Sequence, residues 1–303
     1  MRGLSTASLK NFVKRLYRGL PLIRDLRLID SRLKAVAAAI DRAAAAEMIE
    51  FLHFRGPCDV RYGDPKRLLR YAFHTFSQNG EDGMLAEICR RIGAPARNFV
   101  EIGVGDGLEN NTTFLLAQGW HGWWLEANQR AVQKIKRTFH SEIAAGALKV
   151  LCDAVSSENA SALLTKLGVP KEFDVLSLDI DRNTYWVWRA LRDYKPRIVV
   201  TEYNAIFPPD VDWKVEYNPA KRWNGSSYFG ASLKAYEILG AELGYALVGC
   251  DFTGLNAFFV RRDLCGDKFA APFTAENHYE PARYMFGLAM RNGQWRFRPA
   301  FND

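Results

Sequence analysis

Seven apolar runs divide the middle of this chain at near-regular intervals: NFVEIGV (98–104), GWWLEA (122–127), LKVLCDAV (148–155), FDVLSLDI (173–180), RIVVTEY (197–203), YALVGCD (245–251) and NAFFVRR (256–262). Helical candidates separate the first five, for example over 128–141, 157–167 and 184–193, with another near 231–243. Strands that are apolar almost throughout need cover on both faces, and a helix between successive strands supplies the crossover that parallel pairing requires. The last two runs are only four residues apart. No helix fits in that gap, so they must pair as an antiparallel hairpin. The expected class is α/β: a mostly parallel sheet ending in one hairpin.

A chain of 303 residues can bury a substantial core. Its 48% apolar and 25% charged content excludes wholesale disorder. Five cysteines (Cys58, Cys89, Cys152, Cys250, Cys265) are odd in number, widely spaced and free of C-x-x-C pairing, which argues against a disulfide framework or a structural zinc site. With no signal-peptide h-region and no apolar stretch near the roughly 18 residues of a span, a cytoplasmic setting is expected.

The net charge of +7 is concentrated at the start, where residues 1–50 carry ten Lys/Arg against five Asp/Glu. An arm over 1–55 therefore separates from a main domain over 56–303. Leu9, Phe12, Val13, Leu16, Tyr17 and Leu20 recur at helical spacing among Lys10, Lys14, Arg15 and Arg18. After Pro21, the residues Leu22, Leu26, Ile29, Leu33, Val36 and Ile40 form a heptad seam. Three roles are open for the arm: packing on the main domain, homo-oligomerisation along the seam, or peripheral contact with the inner membrane surface. Nucleic acid is not an expected partner, because the basic residues join no recognition motif.

VEIGVGDG at 100–107 places Gly103, Gly105 and Gly107 at every second position after a strand, preceded by Glu101. The dinucleotide fingerprint G-x-G-x-x-G needs a different third glycine to admit a pyrophosphate, and a carboxylate at 101 would sit badly beside one. That carboxylate suits a loop facing an ammonium and a sulfonium. Glu126, ending the second run, is placed to accept from two ribose hydroxyls, and Asp153 from an adenine amino group. The set favours S-adenosylmethionine over a nicotinamide cofactor.

FSQNGEDGMLAEI at 76–88 resembles the S-Q-x-G-E-D element upstream of the glycine loop in the FkbM-type class I methyltransferases. LSLDIDRNTYWVWRAL followed by RIVVTEYN resembles a later part of the same family. The likeness spans roughly residues 74–262 and implies the Rossmann-like class I sheet, O-methylation of a sugar or glycan-type hydroxyl, and a place for Ser77 and Gln78 near the methionine end of the cofactor. Arg182 stands where the family carries Gly after the D-I-D triplet, which leaves the local backbone and the acceptor preference open.

Methyl transfer to a hydroxyl needs alignment and removal of a proton. Asp179 and Asp181 end the fourth run, and Glu202 and Asn204 the fifth, so these four side chains are expected to converge. The carboxylates Asp179, Asp181 and Glu202 could hold Mg²⁺ or Mn²⁺, or one could act as a base with a pKa raised by its neighbours. The ordinary alternative is that Asp181 or Asn204 caps a helix while Glu202 pairs with Arg182 or Arg189. His74 is a second candidate base. An aromatic insertion over 205–230, with Trp213, Tyr217, Trp223, Tyr228 and Phe229 among Lys214, Lys221 and Arg222, would suit a saccharide acceptor or simply close the core. Two other readings remain: a non-catalytic scaffold of the same fold in a glycan-assembly complex, and a nicotinamide oxidoreductase.

Overall fold

A computed structural model describes residues 25, 28–33, 36 and 60–283 of the chain. Most of the arm, and everything after residue 283, lies outside the described residues. In chain order the main elements are α1 (Val60–Gly63), α2 (Glu81–Ile92), β1 (Asn98–Ile102), α3 (Thr113–Ala117), β2 (His121–Glu126) and α4 (Gln129–Thr138). They continue with α5 (His140–Ala144), β3 (Leu148–Cys152), α6 (Ala160–Lys166), β4 (Glu172–Leu178), α7 (Thr184–Ala190) and β5 (Lys195–Glu202). Last come α8 (Leu233–Leu243), β6 (Tyr245–Cys250) and β7 (Asn256–Arg261). Every expected strand is present. Most end one to three residues sooner than the apolar run, where the backbone turns away to form the site.

The seven strands form one sheet in the order β3-β2-β1-β4-β5-β7-β6. The first five are mutually parallel, while β7 runs antiparallel between β5 and β6. The chain winds outward from β1 to β3 and then returns to lay β4 on the other side of β1. Such a reversal opens a crevice beyond the carboxyl ends of the strands. The hairpin turn is held by Asp251, whose carboxylate accepts from the backbone N–H groups of Thr253, Leu255 and Asn256.

Both faces are covered, which is why the strands read as nearly continuous apolar runs. Val100, Leu125, Leu176 and Val199 pack with Leu164, Trp188 and Tyr236 on one side. Phe99, Trp124, Val175 and Ile198 pack with Met84, Ile88 and Ile135 on the other. Trp188 alone meets Tyr236, Tyr245 and Phe259 at centroid distances of 6.0, 5.9 and 4.9 Å, joining α7, α8, β6 and β7. The helices begin and stop where local chemistry dictates. Asn128 caps α4 by accepting from Arg130 N and Ala131 N, Ser232 caps α8, and Gly244 ends α8 in a left-handed conformation.

Of the heptad seam, Ile29, Leu33 and Val36 fall among the described residues and are exposed. Among the described residues no helix is long and apolar enough to cross a membrane.

Candidate functional site

The glycine loop exists because β1 and β4 come unusually close as they end. Asp179 N donates to Ile102 O at 2.9 Å, and a Cβ on Gly103 would lie 1.6 Å from the carbonyl oxygen of Asp179. Gly103 also has a φ of +87°, so only glycine fits. Gly105 is left-handed as well (φ +63°), and a Cβ there would meet nothing within 4 Å. Gly107 differs in purpose, since a Cβ there would run into Phe139 and Trp124. It serves packing, and it does not line the crevice.

Glu101 is buried and organises the segment after the loop. It accepts from Asn110 Nδ2 (2.6 Å), Asn111 N (3.0 Å), Thr112 N (3.1 Å), Thr112 Oγ1 (2.5 Å) and Ser177 Oγ (3.0 Å). Burial pushes its pKa upward while these donors oppose the shift. The carboxylate therefore fixes residues 110–112 against the ends of β1 and β4.

Beyond the strand ends lies a crevice in two adjoining halves of about 330 and 360 Å³, which share Gly103, Gly105 and Asp179 in their walls. That is the size range of small-molecule sites. Gln78, Glu81, Glu101, Glu109, Asn110 and Asn256 line the first half. Glu126, Asp153, Val155, Ile180, Asp181, Asn183, Lys221 and Arg222 line the second. Glu126 Oε2 accepts from Gly105 N at 2.8 Å and its Oε1 from Asn128 N at 2.6 Å, so β2 presents both oxygens in a fixed pose. Asp153 follows β3 and is held by its own backbone, Asp153 N donating to Glu126 O at 3.2 Å.

The S-Q-N-G-E-D stretch divides its labour. Ser77 Oγ accepts from Asp82 N, while Asp82 Oδ2 accepts from the N–H groups of Thr75, Phe76 and Ser77. This reciprocal clasp starts α2 from the left-handed Gly80. Ser77 is thus consumed in the turn and is fully buried, away from the crevice walls. Gln78 is the residue of this pair that lines the crevice. His74 Nδ1 bonds to the carbonyl of Ser77, so the imidazole supports the same turn and is not among the lining groups. Sequence reasoning missed Glu81 and Asn256. Glu81 accepts from Asn79 N, Asn79 Nδ2 and Asn256 Nδ2, tying α2 to the start of β7.

Three of the four side chains expected to converge do so. Carboxylate oxygens of Asp179, Asp181 and Glu202 all lie within 4.8 Å of one another. Asp179 and Asp181 open to the crevice and Glu202 is half-buried. Oε2 of Glu202 is shut off from solvent and has no hydrogen-bond partner among the described residues. The alternative pairing with Arg182 or Arg189 does not occur: Arg182 donates to Glu216 O (3.3 Å) and covers Tyr228, and Arg189 covers Trp186. Dense protein surroundings, with Asp181 and Glu101 nearby, push the Asp179 carboxyl up to about 7. Glu202 is raised by burial and then by Asp179 and Asp181, and Asp181 by burial and Glu126. Like charges crowded at one spot have this effect, which suits proton transfer or cation binding.

Asn204 does not join them. It is fully buried, its Nδ2 donating to Ser227 O (2.9 Å) and Phe229 O (3.0 Å), and its Oδ1 accepting from Ile206 N. It clamps both ends of the insertion to β5. Within the insertion Phe207 stacks on Trp213 (4.3 Å, 21°), and Tyr217 bonds to Glu158 and Ser157. Phe229 is buried, which answers the packing alternative for that residue. Trp223 and Tyr228 remain 48% exposed.

No protein-family model matches the chain, and no curated protein matches it. Among solved structures, an O-methyltransferase from Bacillus cereus in complex with SAH is 16% identical, with a TM-score of 0.39 over 58% of this chain and 76% of that one. An S-adenosylmethionine-dependent methyltransferase from Clostridium acetobutylicum is 11% identical, with a TM-score of 0.38 over 71% of this chain and 96% of that one. At these scores the likeness carries no weight for chemistry, which stands on the crevice's own residues.

Proposed function

We propose that the chain is an S-adenosylmethionine-dependent O-methyltransferase acting on a hydroxyl of a sugar or glycan-type acceptor. The observation that carries this reading is the alignment of Gly103 and Gly105 with Glu126 and Asp153 around one crevice. Each oxygen of Glu126 uses one lone pair on a backbone N–H and keeps another, so the pair is preset to accept from two vicinal ribose hydroxyls. Asp153 lies one strand further out, positioned for an exocyclic amine. The first half is lined by carboxylates and amides, which suits the zwitterionic amino-acid end of such a cofactor.

When bound, the cofactor supplies a methyl group already activated by sulfonium. What the chain must add is alignment and a proton acceptor. Asp179 lies at the junction of the two halves, where that methyl group would sit, and is flanked by Asp181 and Glu202. A carboxylate whose proton affinity is raised towards neutrality is a serviceable base for a hydroxyl. The same three carboxylates form a hard-oxygen donor set, and the unpartnered Oε2 of Glu202 fits a cation such as Mg²⁺ or Mn²⁺. A divalent ion held there would bind acceptor oxygens and favour the alkoxide. The exposed indole of Trp223 suits the apolar side of a pyranose.

Isothermal titration calorimetry with S-adenosylhomocysteine tests the reading. Binding to the wild type is expected, and Glu126→Ala should weaken it by about tenfold or more, the worth of a pair of charge-assisted hydrogen bonds. No binding to pure, folded protein rejects the proposal. Selective binding of NAD would replace it with the oxidoreductase reading.

A further inference from the structure

Resting on the methyltransferase reading, we infer that the acceptor carries an anionic group, a carboxylate or a phosphate, which Lys221 and Arg222 grip at the mouth of the crevice while its hydroxyl faces Asp179 and Asp181. Both cations line the nucleoside half, in a wall that also contains Glu126, Asp153, Asp179 and Asp181. Yet neither forms an ion pair with any of these acids among the described residues, although ion pairs are common elsewhere in the domain.

The backbone that carries them is fixed. Lys221 N donates to Asn218 O (3.2 Å) and Ala220 N to Asn218 Oδ1 (3.0 Å), closing a tight turn. Asn183 Nδ2 donates to Asn218 O (2.9 Å), and Asn218 N to Asn183 Oδ1 (3.4 Å). Asn183 is buried and stands two residues after Asp181. The turn is therefore pinned to the same strand end that presents the acids, so both cations stand in one wall with them without pairing to them. A long cationic side chain left without its available partners keeps its charge for a third party.

The arrangement solves an electrostatic problem. A crevice with several carboxylates repels an acceptor bearing a negative charge, so an anionic acceptor can enter only where cations offset that field. Cations confined to one rim do more: they fix which end of the acceptor points outward. Trp223 and Tyr228, on the same segment, are 48% exposed.

The test is calorimetry on the full chain saturated with S-adenosylhomocysteine, titrated separately with D-glucuronate, D-glucose 6-phosphate and D-glucose. At least one anionic sugar should bind about tenfold or more tightly than glucose, the worth of one or two charge-assisted contacts, and which one does so separates carboxylate from phosphate recognition. The Lys221→Gln/Arg222→Gln double variant should lose that preference. Because both side chains are exposed, it should still fold and melt within about 3 °C of the wild type, and its sugar titrations are run at saturating S-adenosylhomocysteine after its own affinity has been measured. Equal or undetectable binding of all three sugars by the loaded wild type overturns the inference, as does a preference that survives in the double variant. Failure of the wild type to bind S-adenosylhomocysteine removes the methyltransferase reading beneath it, a distinguishable result.

Discussion

Single alanine substitutions at Gly103 and Gly105 separate the two tasks that the glycine loop combines. At Gly103 a Cβ would stand 1.6 Å from a carbonyl oxygen, about 1.4 Å short of the 3.0 Å that real Cβ atoms respect. The obstacle is backbone at the centre of a parallel sheet, held by Asp179 N to Ile102 O, so no side chain can swing aside. A left-handed φ adds about 1–2 kcal/mol for any residue with a Cβ. Together these exceed about 4 kcal/mol, the range of severe disruptions. For a domain of this size, where 1 kcal/mol moves Tm by about 2–4 °C, Gly103→Ala should melt at least about 10 °C below the wild type. At Gly105 the surroundings are open, so only the left-handed penalty applies and Tm should fall by about 2–8 °C. That new methyl group, however, stands where both halves of the crevice meet, and S-adenosylhomocysteine should bind at least about tenfold more weakly. Differential scanning calorimetry and titration calorimetry read the two effects. A Gly103→Ala protein melting within about 3 °C of the wild type would refute the close approach. Gly105→Ala with normal ligand affinity would refute the placement of the ligand.

Three further outcomes are expected. His278 is 3% exposed and bonds to Ala270 O, and burial, reinforced by Arg67, lowers its pKa from 6.5 to about 3. Its stabilising contribution is therefore complete above 6.5 and is lost as pH falls towards 3; between pH 7 and 5 it accounts for a loss of about 2 kcal/mol. Chemical denaturation at both pH values should show this slope in the wild type and its absence in His278→Gln; identical slopes would contradict the assignment. Glu101→Leu strands the donors of Asn110, Asn111, Thr112 and Ser177 in a buried site and should cost about 3 kcal/mol or more, visible as a Tm lower by roughly 6–12 °C. Finally, Leu28, Ile29, Leu33 and Val36 are 49–65% exposed in one copy of the chain. If the seam joins copies, light scattering should find a dimer or larger assembly that becomes monomeric without residues 1–50, and an unchanged mass refutes it.

The sheet was legible because its strands are buried on both faces, which writes long apolar runs into the sequence, and because a four-residue gap before NAFFVRR forbids a crossover. The acids at the ends of β2 and β4 were legible for a related reason: a carboxylate directly after a buried strand has few places to go except the crevice. The same rule misdirected the reading of Asn204. Two residues past β5 the chain has already turned, and an amide there serves the carbonyls of Ser227 and Phe229 instead. Ser77 and His74 were drawn towards the ligand by their neighbourhood, whereas local hydrogen bonds to Asp82 N and Ser77 O claim them. Asn256 left almost no signal, since its place beside Glu202 depends on β7 inserting antiparallel next to β5, a tertiary fact.

Arg182, where the resemblance leads one to expect glycine, clarifies how the acidic cluster is built. The left-handed residue is its neighbour Asp181, at φ +59°. Aspartate tolerates that conformation better than most residues, at a cost of order 1 kcal/mol. The next two residues over-determine the twist: Arg182 N donates to Ile180 O (2.8 Å), its guanidinium reaches Glu216 O and covers Tyr228 at 5.0 Å, and Asn183 bonds to Asn218. A glycine at 182 could adopt the backbone path but would lose the contacts to Glu216 O and Tyr228, leaving the insertion held by Asn183 and Asn204. The arginine therefore adds a second tie to the Asn183–Asn218 link between the turn that sets Asp181 beside Asp179 and the aromatic and cationic segment. Arg182 thus serves as an anchor for the insertion directly beside the strained residue Asp181.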